Sequence, residues 1–63
     1  MKDFNEEYQK AISIVKETRN SSPSFLQRKL YISYNMASAI VEKMTEEGLL
    51  GPYNGSKPRE VLF

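Results

Sequence analysis

The stretch that decides the fold runs from Ser24 to Leu50 and reads SFLQRKLYISYNMASAIVEKMTEEGLL. Apolar residues recur at helical spacing in its first and last parts, and Tyr31-Ile32-Ser33 lies between them as a short turn. Gly48 follows the second part, where a glycine commonly adopts the left-handed backbone that ends a helix. Two short helices joined by a tight turn predict a helix-turn-helix.

The two helices of this motif have predictable limits and inner faces. The first is expected from about Phe25 to Leu30, with Ser24 and Gln27 forming a capping box at its start. The next is expected from about Tyr34 to Glu47, with Ser33 as its N-cap. The side chains expected to face the core are Phe25, Leu26, Leu30, Ile32, Ala37, Ile40, Val41 and Met44.

Another helix is predicted before this stretch, from about Asp3 to about Arg19. Asp3 and Glu6 match a capping box, and Asn20-Ser21-Ser22-Pro23 breaks the helix. An apolar stripe at helical spacing predicts its core face, made of Phe4, Tyr8, Ala11, Ile12 and Val15, with Ile14 at the edge.

Two short strands are predicted after Gly48, at residues 49–50 and 60–63. Glycines and prolines lie between them, which is typical of a hairpin called a wing. The predicted fold class is therefore α+β, mainly α: a winged helix-turn-helix in which three helices precede a two-stranded β-hairpin. A chain of 63 residues forms one domain, residues 1–63.

Composition excludes several classes of site. The chain has no Cys and no His, so disulfides, thiolate metal sites and the usual zinc ligand sets are absent. No apolar run approaches the length of a membrane span, and the N-terminus lacks the apolar core of a signal peptide. We expect a cytoplasmic domain without direct membrane contact, and the alternative of a piece from a larger membrane-bound protein stays open.

The charge is unevenly distributed although the formal net charge is only +1. Residues 1–18 carry three basic and four acidic side chains, whereas Arg19, Arg28 and Lys29 are accompanied by no acid before Glu42. A positive zone of this kind attracts phosphates, and chance clustering on a solvated surface is the competing interpretation.

The exposed face of the last helix carries the candidate DNA-reading residues. In a helix-turn-helix the second helix enters the major groove. Asparagine can pair with adenine, glutamate can accept from the amino group of cytosine, and methionine can contact a thymine methyl. The competing interpretation makes Asn35 a helix-start residue and Glu42 a solvated acid. The candidates for base readout are Asn35, Met36, Ala39 and Glu42, and those for phosphate contact are Arg28, Lys29, Lys57 and Arg59.

Catalysis by this chain is not expected. Most of its carboxylates fall on polar helix faces, where nothing would raise a pKa for acid–base chemistry. No glycine-rich phosphate loop is present. We therefore predict no cofactor and no small-molecule ligand.

Four motifs resemble the C-terminal gamma domain of FtsK/SpoIIIE-type DNA translocases. They are FLQRKL at residues 25–30, ISYNxA at 32–37, EEGLLGP at 46–52 and GSKPREVL at 55–62. The resemblance covers about Ser22 to Leu62. It implies a winged helix that binds double-stranded DNA, as the orienting module of a hexameric, ATP-driven translocase acting in chromosome segregation and cell division.

The resemblance also implies particular site residues and partners. Asn35, Glu42, Lys57 and Arg59 keep the family's residue types, whereas Met36 and Ala39 replace two arginines of the recognition helix. The family reads G-rich polar sequences, and arginine is the commonest reader of guanine. Some members also contact a tyrosine recombinase.

Three hypotheses follow. The first is a gamma-type module that binds duplex DNA, monomeric in isolation and multivalent on its parent motor. The second is a winged helix that docks on a recombinase with little or no sequence-specific DNA readout. The third is a diverged, dimeric, repressor-like DNA binder. The parent protein in the first hypothesis is a translocase anchored at the division septum.

Overall fold

The structure is a computed structural model that describes residues 2–63. It contains three helices, α1 at Phe4–Thr18, α2 at Pro23–Leu30 and α3 at Tyr34–Glu46. Each helix packs against the other two, in a small, mainly helical domain with extents of 30 × 21 × 20 Å. The three predicted helices are confirmed. None of the helices in the described part of the chain has both the length and the apolarity that crossing a membrane requires.

Side-chain caps begin α1 and α3 as predicted. The Asp3 carboxylate accepts a hydrogen bond from the backbone N–H of Glu6 at 3.1 Å. The Ser33 hydroxyl accepts one from the backbone N–H of Met36 at 3.1 Å. Each cap satisfies a donor that the first helical turn leaves without a partner.

The start of α2 differs from the prediction. The helix begins at Pro23 rather than Phe25, and Ser22 is its N-cap without a side-chain hydrogen bond. The predicted capping box of Ser24 and Gln27 is therefore wrong, because Ser24 lies inside the helix. Proline suits the first helical position, where its fixed φ matches the helix and its missing N–H would have no partner.

The core lies where the three helices meet. Ile32, in the turn between α2 and α3, packs into this core, and 7% of its surface is exposed. The predicted residues Phe4, Ile12, Ile14 and Phe25 are only half-buried and pack against its margin. The buried apolar side chains are Tyr8, Ala11, Val15, Leu26, Leu30, Ile32, Ala37, Ile40, Val41, Met44 and Leu50.

Gly48 ends α3 in the way predicted, with φ of +79°. The Leu49 N–H donates to the Met44 carbonyl at 2.9 Å, and the Gly48 N–H donates to the Thr45 carbonyl at 3.0 Å. These two bonds form a Schellman motif, in which the residue after the cap is left-handed. The helix itself ends at Glu46, one residue earlier than expected.

Residues 49–63, the bridged segment, follow this turn. Two isolated antiparallel bridges, Leu50 with Val61 and Asn54 with Lys57, fold the segment back on itself. The Gly51 N–H donates to the Glu60 carbonyl at 2.8 Å, which reinforces the first bridge. The described segment thus pairs the two predicted strand regions through single bridges rather than through continuous strands.

Two polar side chains, Ser21 and Arg19, fasten the bridged segment to the end of α1 and the start of α2. The buried Ser21 hydroxyl donates to the Arg59 carbonyl at 2.6 Å. The guanidinium of Arg19 donates to the carbonyls of Val61, at 3.3 Å, and of Phe63. Arg19 itself ends α1 with a left-handed φ of 60°. The end of α1 therefore holds the returning arm of the segment.

Two polar side chains enter the core region from α1. The Tyr8 hydroxyl donates to the Glu47 carboxylate. Burial, and secondarily this hydrogen bond and the charge of Glu47, raise the pKa of Tyr8. Glu7 is 2% exposed, and one of its oxygens lies 3.3 Å from the Lys10 ammonium. Glu7 is an exception to the prediction that carboxylates lie on polar faces.

Candidate nucleic-acid interface

A groove of about 420 Å³ separates three parts of the chain: the start of α2, the outer face of α3 and the bridged segment. Its walls combine hydroxyl, aromatic and charged side chains. The lining residues are Ser21, Ser22, Pro23, Ser24, Tyr34, Ser38, Val41, Glu42, Tyr53, Gly55, Ser56, Lys57, Pro58 and Arg59. The groove thus brings one predicted base-reading residue, Glu42, next to two predicted phosphate-binding residues, Lys57 and Arg59. Asn35, Met36 and Ala39 are not among its lining residues.

The four predicted base-reading residues lie on one face of α3. Asn35, Ala39 and Glu42 are exposed, and Met36 is half-buried against the margin of the core. Because α3 begins at Tyr34, three of the four fall in its first two turns. That is the part of a recognition helix that reaches base edges.

An ion pair crosses the groove from α3 to the bridged segment. The Arg59 Nη2 lies 2.6 Å from the Glu42 Oε1. The Arg59 guanidinium carbon also lies 5.9 Å from the centre of the Tyr53 ring. The Arg59 side chain is 15% exposed and that of Glu42 is 62% exposed. A predicted phosphate contact and a predicted base contact therefore bind each other.

The structure divides the four predicted phosphate-binding residues between two places. Lys57 is exposed on the wall of the groove, near Arg59. Arg28 and Lys29 line a second hollow, of about 400 Å³, together with Phe25 and Tyr31. The Lys29 Nζ lies 5.6 Å from the centre of the Phe25 ring. The two basic pairs are thus not brought together.

Tyr31, in this second hollow, is 84% exposed. It ends α2 with a left-handed φ of 55°, a conformation that costs a residue with a side chain about 1–2 kcal/mol. Its N–H bonds to the Gln27 carbonyl, which closes the helix without a glycine. No sequence pattern predicted this backbone, because glycine or asparagine is the usual residue there.

Tyr34, Ser38 and Tyr53 are among the groove residues that the sequence analysis did not name as site residues. Tyr34 and Ser38 are four positions apart, so they share a helix face that turns toward the groove. Their spacing is visible in the sequence, but it does not indicate the groove, because the opposite wall comes from a distant part of the chain. Tyr53 is 76% exposed, and its approach to Arg59 depends on how the bridged segment folds.

Metal binding finds no support in residues 2–63. These residues hold no group of three or more His, Cys, Asp or Glu side chains placed to ligate one ion. The chemistry available in the groove is that of hydrogen bonding, charge and aromatic contact.

Comparison with known proteins gives one consistent result. The family model described as Ftsk gamma domain matches residues 2–63. A protein named DNA translocase FtsK from Borreliella burgdorferi is 56% identical over 56 residues, which are 89% of this chain and 7% of that protein. The protein of the same name from Treponema pallidum is 47% identical over 55 residues, 87% of this chain and 7% of the relative. That from Brucella melitensis is 39% identical over 62 residues, 98% of this chain and 8% of the relative.

Proposed function

The chain belongs to the FtsK gamma domain family, which confirms the resemblance of its motifs, and from that premise we propose that it is the duplex-DNA-binding module of a DNA translocase. It spans only 7–8% of the length of these relatives. The motor activity therefore belongs to the rest of such a protein, and this module orients the motor on polar DNA sequences.

The groove is the observation that carries the proposal. It places Tyr34, Ser38 and Glu42 of α3 beside the basic side chains of Lys57 and Arg59. A helix in the major groove and cations on the flanking phosphates are the two parts of a DNA-reading surface. Asn35, Met36 and Ala39, which lie on α3 outside the lining of the groove, would face the bases together with Glu42.

The bridged segment takes the part of the wing in this proposal. Its turn, at Asn54–Lys57, projects from the bridge between Leu50 and Val61. Residues 52–58 are all exposed, so this turn is free to lie along a DNA backbone. The domain then reads DNA as a winged helix, with Arg28 and Lys29 reaching phosphates from α2.

The parent assembly sets how tightly a single domain needs to bind. As one of several copies on a hexameric motor at the division septum, the domain would act at high effective concentration. The isolated domain is then a monomer that binds DNA weakly. In the cell it would lie in the cytoplasm, because it has to reach the chromosome.

A fluorescence-anisotropy titration tests DNA binding. The domain is titrated into three labelled duplexes: a G-rich polar sequence, its scrambled version and an A·T-rich sequence. Each titration is carried out at a low and at a higher salt concentration. We expect binding that weakens steeply with salt, because cations on phosphates release counterions. Absence of binding to all three duplexes at low salt would overturn the proposal.

Variants of the groove cations assign the phosphate contacts. Lys57→Ala and Arg59→Ala should each weaken binding to every duplex alike and reduce the salt slope by about 1. Lys16→Ala is the matched control, since Lys16 is exposed in the last turn of α1 and outside the groove. An unchanged salt slope in both groove variants would remove them from the DNA interface.

A protein-docking role is the second candidate, and the hollow formed by Phe25, Arg28, Lys29 and Tyr31 favours it. Exposed aromatic and arginine side chains are enriched at protein interfaces. The proposed partner is a tyrosine recombinase. Co-elution of the domain with such a recombinase, abolished in Tyr31→Ala but not in Lys57→Ala, would support this role. Co-elution that Tyr31→Ala leaves intact would exclude this hollow.

A further inference from the structure

The first two turns of α3 present an uncharged surface. Asn35 and Ala39 are exposed there, and Met36 shows the part of its side chain that the core does not cover. Asn35 supplies an amide, whereas Met36 and Ala39 supply only apolar atoms. Among these three residues Asn35 therefore supplies the hydrogen-bonding group, and Met36 and Ala39 form an apolar patch beside it.

The cation of α3 and one cation of the groove are engaged elsewhere in the domain. Lys43 is the sole basic residue of α3, and its Nζ lies 4.8 Å from the centre of the Tyr8 ring and 5.7 Å from that of the Phe4 ring. It therefore faces α1. Arg59 is paired with Glu42. Neither cation is left free to fork onto a base.

Base chemistry decides what such a surface recognises. Guanine presents two acceptors in the major groove, which call for a donor such as arginine or lysine. Adenine presents a donor and an acceptor, which one asparagine amide satisfies together. Thymine presents a methyl group, which apolar side chains contact. Asn35, Met36 and Ala39 include no arginine or lysine for guanine, and they hold the groups that contact adenine and thymine.

From these observations we infer that α3 reads A·T base pairs, with Asn35 on adenine and with Met36 and Ala39 on thymine methyl groups. This inference rests on the proposed DNA-binding function and adds its base preference.

Single-methyl changes in the DNA test the inference. The probes are an A·T duplex, the same duplex with deoxyuridine for thymidine, a G·C duplex, and that duplex with 5-methylcytosine for cytosine. Removing the thymine methyl should weaken binding about fourfold for each methyl group that the helix covers. Methylation of cytosine should strengthen binding to the G·C duplex, since it places a methyl in the same groove.

Two variants at one position connect the effect to α3. Met36→Gln keeps the length of the side chain, and it should reduce the difference between the thymidine and deoxyuridine duplexes. Met36→Arg should shift preference toward the G·C duplex by about tenfold, near the lower end of what a bidentate guanine contact provides. Circular dichroism checks that both variants keep the helical fold.

The outcomes separate this inference from the proposed function. Equal binding of the thymidine and deoxyuridine duplexes, or tighter binding of the unmodified G·C duplex, would overturn the A·T preference while leaving DNA binding intact. No binding to any duplex at low salt would overturn both. A methyl effect that Met36→Gln leaves unchanged would overturn the assignment to Met36.

Discussion

The helical body, residues 4–46, and the bridged segment are held by different forces. In the body, Leu26, Ile40 and Met44 are completely buried where the three helices meet. The bridged segment adds Leu50 to this core, Leu49, Val61 and Phe63 pack against its margin, and its turn lies in solvent. Directional contacts also position the segment, namely the two bridges, the Ser21 hydroxyl, the Arg19 guanidinium and the ion pair of Arg59 with Glu42.

Because of this difference, the free energy of unfolding and the shape of the groove depend on different contacts. Apolar burial is non-directional and contributes most of the favourable free energy of folding. A hydrogen bond contributes only about 0.5–1.5 kcal/mol net, but it fixes a geometry. The body should therefore determine whether the domain folds, and the polar contacts should determine where the far wall of the groove lies.

Ile40→Ala should have the largest effect, because it removes a completely buried side chain from the centre of the body. A substitution of this kind costs about 2–5 kcal/mol, a large part of the stability of so small a domain. Urea unfolding followed by circular dichroism measures it. Glu46→Ala, on the exposed face of the same helix, should change the free energy of unfolding by no more than about 0.5 kcal/mol. Similar losses in both variants would contradict the comparison.

Gly48→Ala probes the junction between the two regions. A Cβ at Gly48 would meet no atom within 4 Å, so the cost is that of the left-handed backbone, about 1–2 kcal/mol. Gly51→Ala is the matched control, because its Cβ would lie 3.5 Å from that of Glu60, an ordinary contact. Urea midpoints compare the two. A greater loss of stability in Gly51→Ala would contradict this prediction. It would show that the contact of residue 51 with Glu60 matters more for the free energy of unfolding than the left-handed backbone at Gly48.

Ser21→Ala should release the bridged segment at a smaller cost, about 1 kcal/mol, because it removes the donor to the Arg59 carbonyl. Hydrogen exchange gives the sharper measurement: the Gly51 amide should lose protection while amides of α3 keep theirs. Ser24→Ala, inside α2, provides the control. Uniform loss of protection through α3 would mean that the two regions unfold as one.

Tyr8→Phe should act mainly in alkali. The pKa of Tyr8 is raised above its ordinary value of 10.0, so above that pH the unfolded chain ionises while the folded domain does not. Stability of the native protein should thus fall by about 1 kcal/mol between about pH 9 and about pH 11, and this fall should be absent in Tyr8→Phe. Urea unfolding at both pH values tests it. Tyr53→Phe should keep the fall, and parallel pH profiles for native protein and Tyr8→Phe would refute the assignment.

Local patterns predicted the body well. Helical spacing identified Ala37, Ile40 and Met44 as buried, and Ser33 as a cap, because these depend on neighbours in sequence. The start of α2 was misassigned for a local reason as well. Ser24 and Gln27 imitate a capping box, and Pro23 before them is an equally good helix start.

The long-range contacts were beyond the sequence pattern. The pairing of Arg59 with Glu42 and the anchoring of Val61 and Phe63 by Arg19 join residues far apart in the chain. Charge and spacing indicated only that these side chains could contact DNA or lie in solvent. The division of Arg28 and Lys29 from Lys57 likewise depends on how the helices pack.

The left-handed backbone of Tyr31 has an evolutionary consequence. Its side chain is almost fully in solvent, so a glycine there would relax the backbone and change the packing little. Tyr31 thus lowers the free energy of unfolding and brings it closer to the minimum that selection requires. A small domain that retains an avoidable destabilising residue leaves less room for further destabilising mutations elsewhere. Substitutions in its core are therefore tolerated less readily than they would be in the same fold with a relaxed turn.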